Sequence, residues 1–378
     1  MNILFVTHYT GLGGANIAML NLIQQYKTRN IKVYVVLPEG QNGLKEKLNE
    51  LEIIYAEMRM PWWVCGAEKK VVSVKMYLGN IRGAMQICSF IKKWKIDIVH
   101  TNSTVVAAGA LAARMSGCPH VWHLREDLSN YGWKFAFRLE TVKRWFSRSE
   151  RIIVISKACE EVYKKYLPET KIRIIYDGAQ VAENYTGTGK LDRNIFHILY
   201  LGGMSESKGY KEVLQAAEIL KKYGSCFKIW MPGCMADGAV EAELGLFIDS
   251  HELQEYIEPL EYLDRKKLDQ LRYQMDAFIM ASYHEMFGLV TVEAMLSGVL
   301  VIASDTGANL EIIRDGENGY LYASGDAEML AKTIQKCMHS DNRELIESAY
   351  RMAKERFSVE SCAEKTIAVY EEILEKTI

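Results

Sequence analysis

Two glutamates eight positions apart, Glu285 and Glu293, are the strongest candidates for a chemical site in this sequence. An apolar run at 277–280 predicts a strand that ends just before the first glutamate, and Gly288 precedes a predicted helix that carries the second. Amide groups at the start of that helix would face an anion such as a phosphate, which the helix dipole stabilises by ~0.3–1 kcal/mol. Because an unpaired buried carboxylate is costly, Glu293 in an apolar helix indicates either ligand binding or an ion pair with a neighbour.

Two loops add weaker candidates. Gly13 and Gly14 lie in a glycine-rich turn after a predicted strand, where the backbone can approach a phosphate or a sugar. Their spacing is not that of Gly-x-Gly-x-x-Gly, so a dinucleotide site is disfavoured and a tight turn without a ligand is an equally good interpretation. Lys208 lies between a predicted strand and helix, where an ammonium group could hold a diphosphate; taken alone, a solvated surface lysine is the better explanation.

The elements that would position these residues alternate between β-branched runs and amphipathic helical stretches, which predicts an α/β fold with parallel sheets. The predicted strands are 3–7, 32–37, 98–100, 121–123, 152–156, 172–175, 196–201, 227–231, 277–280 and 300–303. A polar stretch at 183–190 suits a hinge, so we expect domains at 1–185 and 186–357, followed by an amphipathic helix at 358–378. Since parallel sheets bind ligands outside the carboxyl ends of their strands, two such domains facing each other would form a deep cleft.

The composition sets the class of protein and its partners. A chain of 378 residues with 49% hydrophobic and 25% charged residues is globular and long enough for two domains. The net charge of −2 conceals an asymmetry, because residues 1–190 contain 27 Lys+Arg against 16 Asp+Glu (net +11), whereas residues 191–378 contain 19 against 32 (net −13). A basic half predicts an anionic partner surface. No nucleic-acid-binding motif accompanies the charge, so we expect no nucleic-acid partner.

The location of the chain is expected to be cytoplasmic. Neither a signal peptide nor an uninterrupted apolar segment of membrane-spanning length is predicted. The eight cysteines show no metal-ligand spacing, which indicates reduced thiols, mostly in the core.

A basic, aromatic segment at 133–151, with six Lys/Arg against two acids, fits a helix lying on an anionic membrane. Its aromatic rings by themselves are better explained as core residues. The charge of the whole half nevertheless favours peripheral association with the inner face of the plasma membrane.

Taken together in their order along the chain, the short motifs of this sequence resemble those of the retaining family-4 glycosyltransferases of GT-B fold, also called group 1. The resemblance covers essentially the whole chain. The resemblance rests on the two candidate carboxylates, the glycine-rich turn and several short motifs between them. These are Gly13-Gly14, Asp97-Ile-Val-His100, Trp122-His123, Val154-Ile-Ser156-Lys157, Tyr176-Asp177-Gly178, Lys208-Gly209, Glu285-x7-Glu293, Gly307 and Glu311-Ile-Ile-Arg-Asp-Gly-Glu-Asn-Gly319.

The resemblance implies a role for each candidate. Glu285, His123 and Lys208 become the catalytic set: Glu285 contacts the donor sugar, His123 lies beside the anomeric centre and Lys208 binds the diphosphate. Glu293 binds the ribose hydroxyls, and Gly14 offers its amide from the opposing wall of the site. The remaining expected binding residues are Gly13, Gly203, His284, Met286, Phe287, Gly288, Leu289 and Val290.

One position departs from the family pattern in a way that bears on catalysis. Where the family usually carries arginine in Gly-Arg-Leu, this chain has Gly203, so a guanidinium aimed at the departing phosphate is missing. Arg125, Arg272 and Arg314 are the candidate replacements, and without one catalysis would be weakened or absent. Asp177 replaces the asparagine of an Asn-Gly turn, which is a milder change.

The implied activity is retaining transfer of a hexose from a nucleotide diphosphate sugar, preferably a UDP-sugar, to a saccharide or lipid-linked acceptor in surface polysaccharide or glycolipid synthesis. No cofactor is expected, and because no Asp-x-Asp element ends a strand we predict metal independence. Two alternatives are a nucleotide-sugar epimerase of the same architecture and, because of Gly203, a non-catalytic nucleotide-sugar-binding partner subunit.

Overall fold

The computed structural model describes residues 1–41, 43–68, 74–180, 191–235 and 238–376. The chain forms two compact units, one of Met1–Gly178 with Ser358–Ile378 and one of Ala179–Phe357. The predicted hinge at 183–190 and the predicted boundary at 185/186 lie outside the described residues.

The first unit contains a seven-stranded parallel sheet in the order β3-β2-β1-β5-β6-β8-β9, and a two-stranded antiparallel ribbon of β4 and β7. Its strands are β1 (Asn2–Val6), β2 (Lys32–Pro38), β3 (Ile54–Met58), β4 (Val64–Gly66), β5 (Ile98–Thr101), β6 (His120–Leu124), β7 (Trp133–Phe135), β8 (Arg151–Val154) and β9 (Ile172–Ile174). Its helices up to this point are α1 (Gly14–Thr28), α2 (Leu44–Glu50), α3 (Val74–Trp94), α4 (Ala108–Ser116), α5 (Leu139–Phe146) and α6 (Lys157–Tyr163).

The second unit contains a six-stranded parallel sheet in the order β12-β11-β10-β13-β14-β15. Its strands are β10 (Phe196–Tyr200), β11 (Phe227–Pro232), β12 (Ile257–Leu260), β13 (Ala277–Met280), β14 (Leu300–Ser304) and β15 (Tyr320–Tyr322). Its helices are α7 (Tyr210–Lys222), α8 (Gly238–Ser250), α9 (Arg265–Arg272), α10 (Leu289–Leu296), α11 (Asn309–Ile312), α12 (Ala327–His339) and α13 (Arg343–Phe357).

The last helix, α14 (Val359–Glu375), packs in the core of the first unit. Ser358 caps it, because its hydroxyl accepts a hydrogen bond from the Ser361 amide at 3.2 Å. Tyr370 and Ile373 are buried in the same cluster as Tyr26 of α1. This helix therefore brings the end of the chain into the core beneath the first sheet.

The predicted α/β class and both predicted parallel sheets are confirmed. Each of the ten predicted strands is present, and the sequence missed three strands of the two sheets, β3, β12 and β15, together with the β4–β7 ribbon. All eight cysteines are free. Within the described ranges, no helix has both the length and the hydropathy that crossing a bilayer requires.

Candidate functional site

An ion pair joins two of the predicted site residues at the carboxyl edge of the second sheet. Lys208 follows β10 and Glu285 follows β13, which are neighbouring strands, and Lys208 Nζ lies 2.9 Å from Glu285 Oε2. The lysine side chain is 41% exposed and the glutamate side chain 13%, so the pair is open to solvent on the lysine side. The structure thus brings together a cation suited to phosphate and a carboxylate suited to sugar hydroxyls.

Glycine geometry holds the two loops against each other. Gly209 has φ +74°, a conformation that favours glycine, and a Cβ there would collide with the carbonyl oxygen of Ala281. The Tyr283 amide donates to the Ser207 carbonyl at 3.0 Å. Only a residue without a side chain permits this approach, which sets the position of Lys208 relative to the loop after β13.

A second loop supports Glu285 from the other side. The Ala308 amide donates to the Glu285 carbonyl at 2.8 Å, and a Cβ at Gly307 would collide with that same carbonyl. The Thr306 hydroxyl donates to the Ser282 carbonyl at 2.8 Å. Gly307, which the family resemblance singled out, therefore acts here as a spacer that supports the Glu285 backbone.

Gly288 ends this loop at the start of α10. Its φ of +91° again favours glycine, and α10 has no side-chain hydrogen bond at its N-cap. Phe287 is 2% exposed and its ring contacts Phe357 edge-on, with 5.5 Å between centroids. Of the other expected binding residues, His284 is exposed, whereas Met286, Leu289 and Val290 are half-buried.

Glu293 lies in a closed network of four charges. One carboxylate oxygen lies 2.6 Å from Arg265 Nη1 and the other 2.9 Å from Arg272 Nη2. Arg272 also contacts Asp269 Oδ1 at 2.6 Å, and Arg265 Nε lies 3.3 Å from the same oxygen. Two positive and two negative groups balance, so the ion-pair alternative for Glu293 is confirmed. Each carboxylate oxygen retains a second lone pair, which could still accept a ribose hydroxyl.

The three candidate replacements for the family arginine have different surroundings. Arg272 is fully buried in the Glu293 network, so it cannot replace a guanidinium aimed at a phosphate, and that candidate is wrong. Arg314 is a surface side chain, 75% exposed, which lies 3.6 Å from Glu317. Arg125 is 6% exposed and belongs to the first unit, where it forms an ion pair with Asp177.

Position 203 itself has room for a side chain. The nearest atom to a Cβ placed there is the Gly233 carbonyl oxygen, 3.9 Å away, but the φ of Gly203 is +55°. Backbone conformation, and not space, is therefore what favours glycine here.

In the first unit, a buried asparagine organises the glycine-rich turn. Gly13 caps α1 and Gly14 is its first residue. Asn16, 1% exposed, accepts a hydrogen bond from the Thr7 hydroxyl at 2.7 Å and donates to the Gly11 carbonyl at 2.8 Å. The turn between β1 and α1 is thus fixed by hydrogen bonds from the first turn of the helix.

His123 is fully buried at 0% exposure, in a polar cluster under the carboxyl edge of the first sheet. Its Nδ1 lies 3.1 Å from His100 Nε2 and 3.2 Å from Arg125 Nη2. Burial, together with the positive charge of Arg125, holds the pKa of both histidines well below its usual value. Burial raises the pKa of Asp177, and the Arg125 guanidinium opposes that shift. Because their pKa values are lowered, the imidazole rings of His100 and His123 are neutral at physiological pH.

Several residues of these sites were not predicted as functional candidates from the sequence. His100 and Tyr370 belong to the His123 cluster, and Arg265 belongs to the Glu293 network. The available signal was a histidine at the end of a short apolar run, Ile98–Thr101, because a polar side chain on a buried strand needs a partner. Arg265 gave no signal, since exposed and buried arginines look alike in sequence.

Comparison with known proteins places these sites in context. Residues 188–356 match the family described as glycosyl transferases group 1, and residues 12–183 match glycosyltransferase family 4. Glycogen synthase of Mycobacterium tuberculosis is 24% identical, with 74% of this chain and 69% of that protein covered. The capsular polysaccharide biosynthesis glycosyltransferase CapM of Staphylococcus aureus is 20% identical over 95% of this chain and 94% of that protein. The Anabaena protein HepE, solved in complex with UDP-glucose, superposes with a TM-score of 0.76 and 20% identity, with both chains fully covered.

Proposed function

The chain belongs to the group 1 glycosyltransferases of family 4 and has their GT-B fold, and on that premise we propose that it transfers a hexose, with retention, from a UDP-sugar to a saccharide or lipid-linked acceptor. The observation that carries this proposal is the Lys208–Glu285 ion pair at 2.9 Å beside the Gly288 start of α10. Before a donor binds, the two charges satisfy each other. A bound diphosphate would take over the lysine and release Glu285 to accept sugar hydroxyls.

The chemistry follows from these groups. The bond between the anomeric carbon and the diphosphate oxygen breaks through an oxocarbenium-like state while the acceptor oxygen attacks from the same face, and the acceptor proton passes to the departing phosphate. Lys208 and the start of α10 stabilise the charge that develops on the leaving group. We assign Glu285 to the donor sugar and Glu293, held in place by its arginines, to the ribose.

We propose that this charge stabilisation operates without a metal ion, because Lys208 and the start of α10 could do the same electrostatic work. Transfer rates in EDTA are expected to equal those in buffer alone. Loss of transfer in EDTA and its recovery with Mg²⁺ would contradict the proposal.

Donor and acceptor are proposed from the relatives. HepE binds UDP-glucose by its description, which supports UDP as the nucleotide. CapM is described as acting in capsular polysaccharide biosynthesis, which supports a saccharide or lipid-linked acceptor in surface polysaccharide synthesis.

We further propose that the first unit associates with anionic membranes. Among the aromatic residues of the basic segment, Phe135 and Phe146 are buried, as their interpretation as core residues predicted, and Trp133, Phe137 and Trp145 are half-buried. Large apolar side chains on α3, α4 and α5 are nevertheless exposed, namely Tyr77, Leu78, Met85, Met115 and Leu139. Exposed cations on or beside these helices include Arg82, Arg138 and Arg144. A groove of about 250 Å³ is lined in part by Tyr77, Met115 and Trp145, which come from the same three helices. Exposed apolar residues together with arginines on these helices match an anionic lipid surface.

Sedimentation with vesicles tests the membrane proposal. We expect binding to phosphatidylglycerol vesicles at low salt, weaker binding at high salt and none to phosphatidylcholine. A variant with R82E, R138E and R144E should stay in the supernatant, while E261K, a surface change in the other unit, should not alter binding. No sedimentation at low salt would contradict the proposal.

A donor screen followed by product analysis tests the activity. Thermal unfolding with UDP, GDP, ADP and their common sugars should show the largest stabilisation with a UDP-sugar, about 2.7 kcal/mol at 100 times Kd. Incubation of that donor with membrane extract and NMR of the product should then show the donor's anomeric configuration retained. An epimerised donor without transfer would contradict the proposal.

Gly203 favours a second candidate function, a subunit that binds a nucleotide sugar without turning it over. Stabilisation by a UDP-sugar with no transfer to any acceptor in the extract would be the result expected for that function.

A further inference from the structure

A line of hydrogen bonds joins the last helix to His123 within the first unit. The Tyr370 hydroxyl lies 2.6 Å from His100 Nδ1, and His100 Nε2 lies 3.1 Å from His123 Nδ1. All three residues are 0% exposed, so their polar atoms depend on each other for hydrogen bonds. The Tyr26 hydroxyl lies 3.4 Å from that of Tyr370, outside the line from Tyr370 to His123.

The contact with Arg125 indicates the direction of every proton in this line. Its Nη2 lies 3.2 Å from His123 Nδ1, and a guanidinium can only donate, so Nδ1 must carry the lone pair and the ring proton must be on Nε2. His100 Nε2 faces the same lone pair and must therefore donate. His100 Nδ1 is then an acceptor, which requires the Tyr370 hydroxyl to donate to it.

The charge states support this assignment. Burial holds the pKa of His100 and His123 well below its usual value and raises that of Tyr370 well above it. Both imidazoles are thus neutral and the phenol is protonated near pH 7. In a neutral ring the choice of tautomer decides which nitrogen can donate.

We propose that Tyr370 and His100 are positioning residues that act together with Arg125 to hold His123 as its Nε2–H tautomer. Among the described residues His123 Nε2 makes no hydrogen bond, and its nearest carboxylate oxygen, Asp177 Oδ1, is 3.9 Å away. The cluster therefore presents one uncommitted donor, on the nitrogen that Arg125 directly and Tyr370 through His100 jointly select. The catalytic use of this donor rests on the proposed transferase function, in which His123 lies beside the reacting sugar. The assignment of the His123 tautomer does not depend on that function.

Long-range ¹H–¹⁵N NMR on the full chain labelled with ¹⁵N-histidine reads the tautomer directly. Signals of His123 and His100 are assigned from H123Q and H100Q. In the parent chain both residues should show an unprotonated Nδ1 and a protonated Nε2. In Y370F, which keeps the ring but removes the hydroxyl, the His100 and His123 signals should move toward a mixture of tautomers. A protonated Nδ1 on His123 in the parent chain overturns the proposal, whatever happens in the variants.

Y26F is the matched control, because it removes a hydroxyl from the same buried cluster without touching either histidine. It should leave both tautomers unchanged. Identical spectra for Y370F and the parent chain, or equal changes in Y370F and Y26F, would show that Tyr370 has no specific role.

A kinetic comparison adds the functional consequence. In Y370F we expect kcat for sugar transfer to fall roughly tenfold, with the donor KM unchanged. A decrease of this size corresponds to the loss of one hydrogen bond that helps to position His123. Y26F should stay within about twofold of the parent chain. An unchanged kcat in Y370F contradicts the positioning role, whereas a parent chain with the assigned tautomer but no transfer contradicts only the proposed function.

Discussion

Glu285 and Glu293 lie eight positions apart in one loop–helix segment, yet they occupy opposite environments. Glu285 pairs with Lys208, whose side chain is 41% exposed, and its loop is fixed by backbone contacts to two neighbouring loops. Glu293 is 4% exposed and is held by two arginines in a balanced network. The same type of side chain thus forms one ion pair that is open to solvent and one that is buried.

This difference predicts that substitutions around the two glutamates have different effects. An ion pair open to solvent contributes little to stability and can be exchanged for a ligand's charge. Removing one partner of a buried ion pair is strongly destabilising, because the other partner is left as an unpaired buried charge. Changes around Glu293 should therefore appear first as loss of stability, and changes at Glu285 first as loss of activity.

The largest effect is expected when the Glu293 network is opened. Replacing Arg272 by Met should lower the free energy of unfolding by about 3–5 kcal/mol, because Asp269 and Glu293 lose a buried partner. Calorimetry should show Tm falling by roughly 10 °C. The matched control is R314M, at an arginine that is 75% exposed, which should change stability by no more than about 0.5 kcal/mol. Equally small losses of stability in R272M and R314M would contradict the stabilising role of the buried network around Glu293.

The next effect concerns the exchangeable carboxylate. E285Q should reduce kcat for transfer by about 10²–10³, the loss seen when one preorganised group is removed from a reaction site, while Tm changes by only a few degrees. E317Q, a surface glutamate paired with Arg314, serves as the control and should keep full activity. If E285Q, or the more drastic E285A, transfers as fast as the parent chain, the assignment of Glu285 to the donor sugar is wrong.

The smallest effect sharpens the comparison by adding a charge at the open loop. Because position 203 has space but a left-handed backbone, G203R should cost about 1–2 kcal/mol of stability and raise kcat about tenfold if a guanidinium there stabilises the leaving phosphate. G203A carries the same backbone strain without the charge and should only lose stability. Equal kcat in G203R and G203A would show that this chain does not need the arginine of its family.

The site could be predicted from the sequence where local signals coincide with a strand end. Gly288 and Gly307 mark backbone positions that tolerate no other residue without strain, and Lys208 and Glu285 follow short apolar runs that pair side by side in the sheet. The partners of Glu293 could not be predicted, because Arg265 and Arg272 lie on a helix more than twenty residues earlier and no local pattern tells which arginines are buried.

The sequence by itself determined the class of fold, the ten central and edge strands with continuous apolar runs, and the positions of the candidate carboxylates and lysine. The fold class, the strands and the carboxylates follow from periodicity and from the cost of a buried charge, whereas Lys208 became a strong candidate only through the family resemblance. Only the tertiary structure decided the three missed sheet strands, β3, β12 and β15, which all lie at sheet edges, because pairing with a neighbouring strand is a long-range contact that no local pattern marks here. It alone also decided the tautomer of His123, because that depends on Arg125, His100 and Tyr370 meeting in one buried cluster from distant parts of the chain.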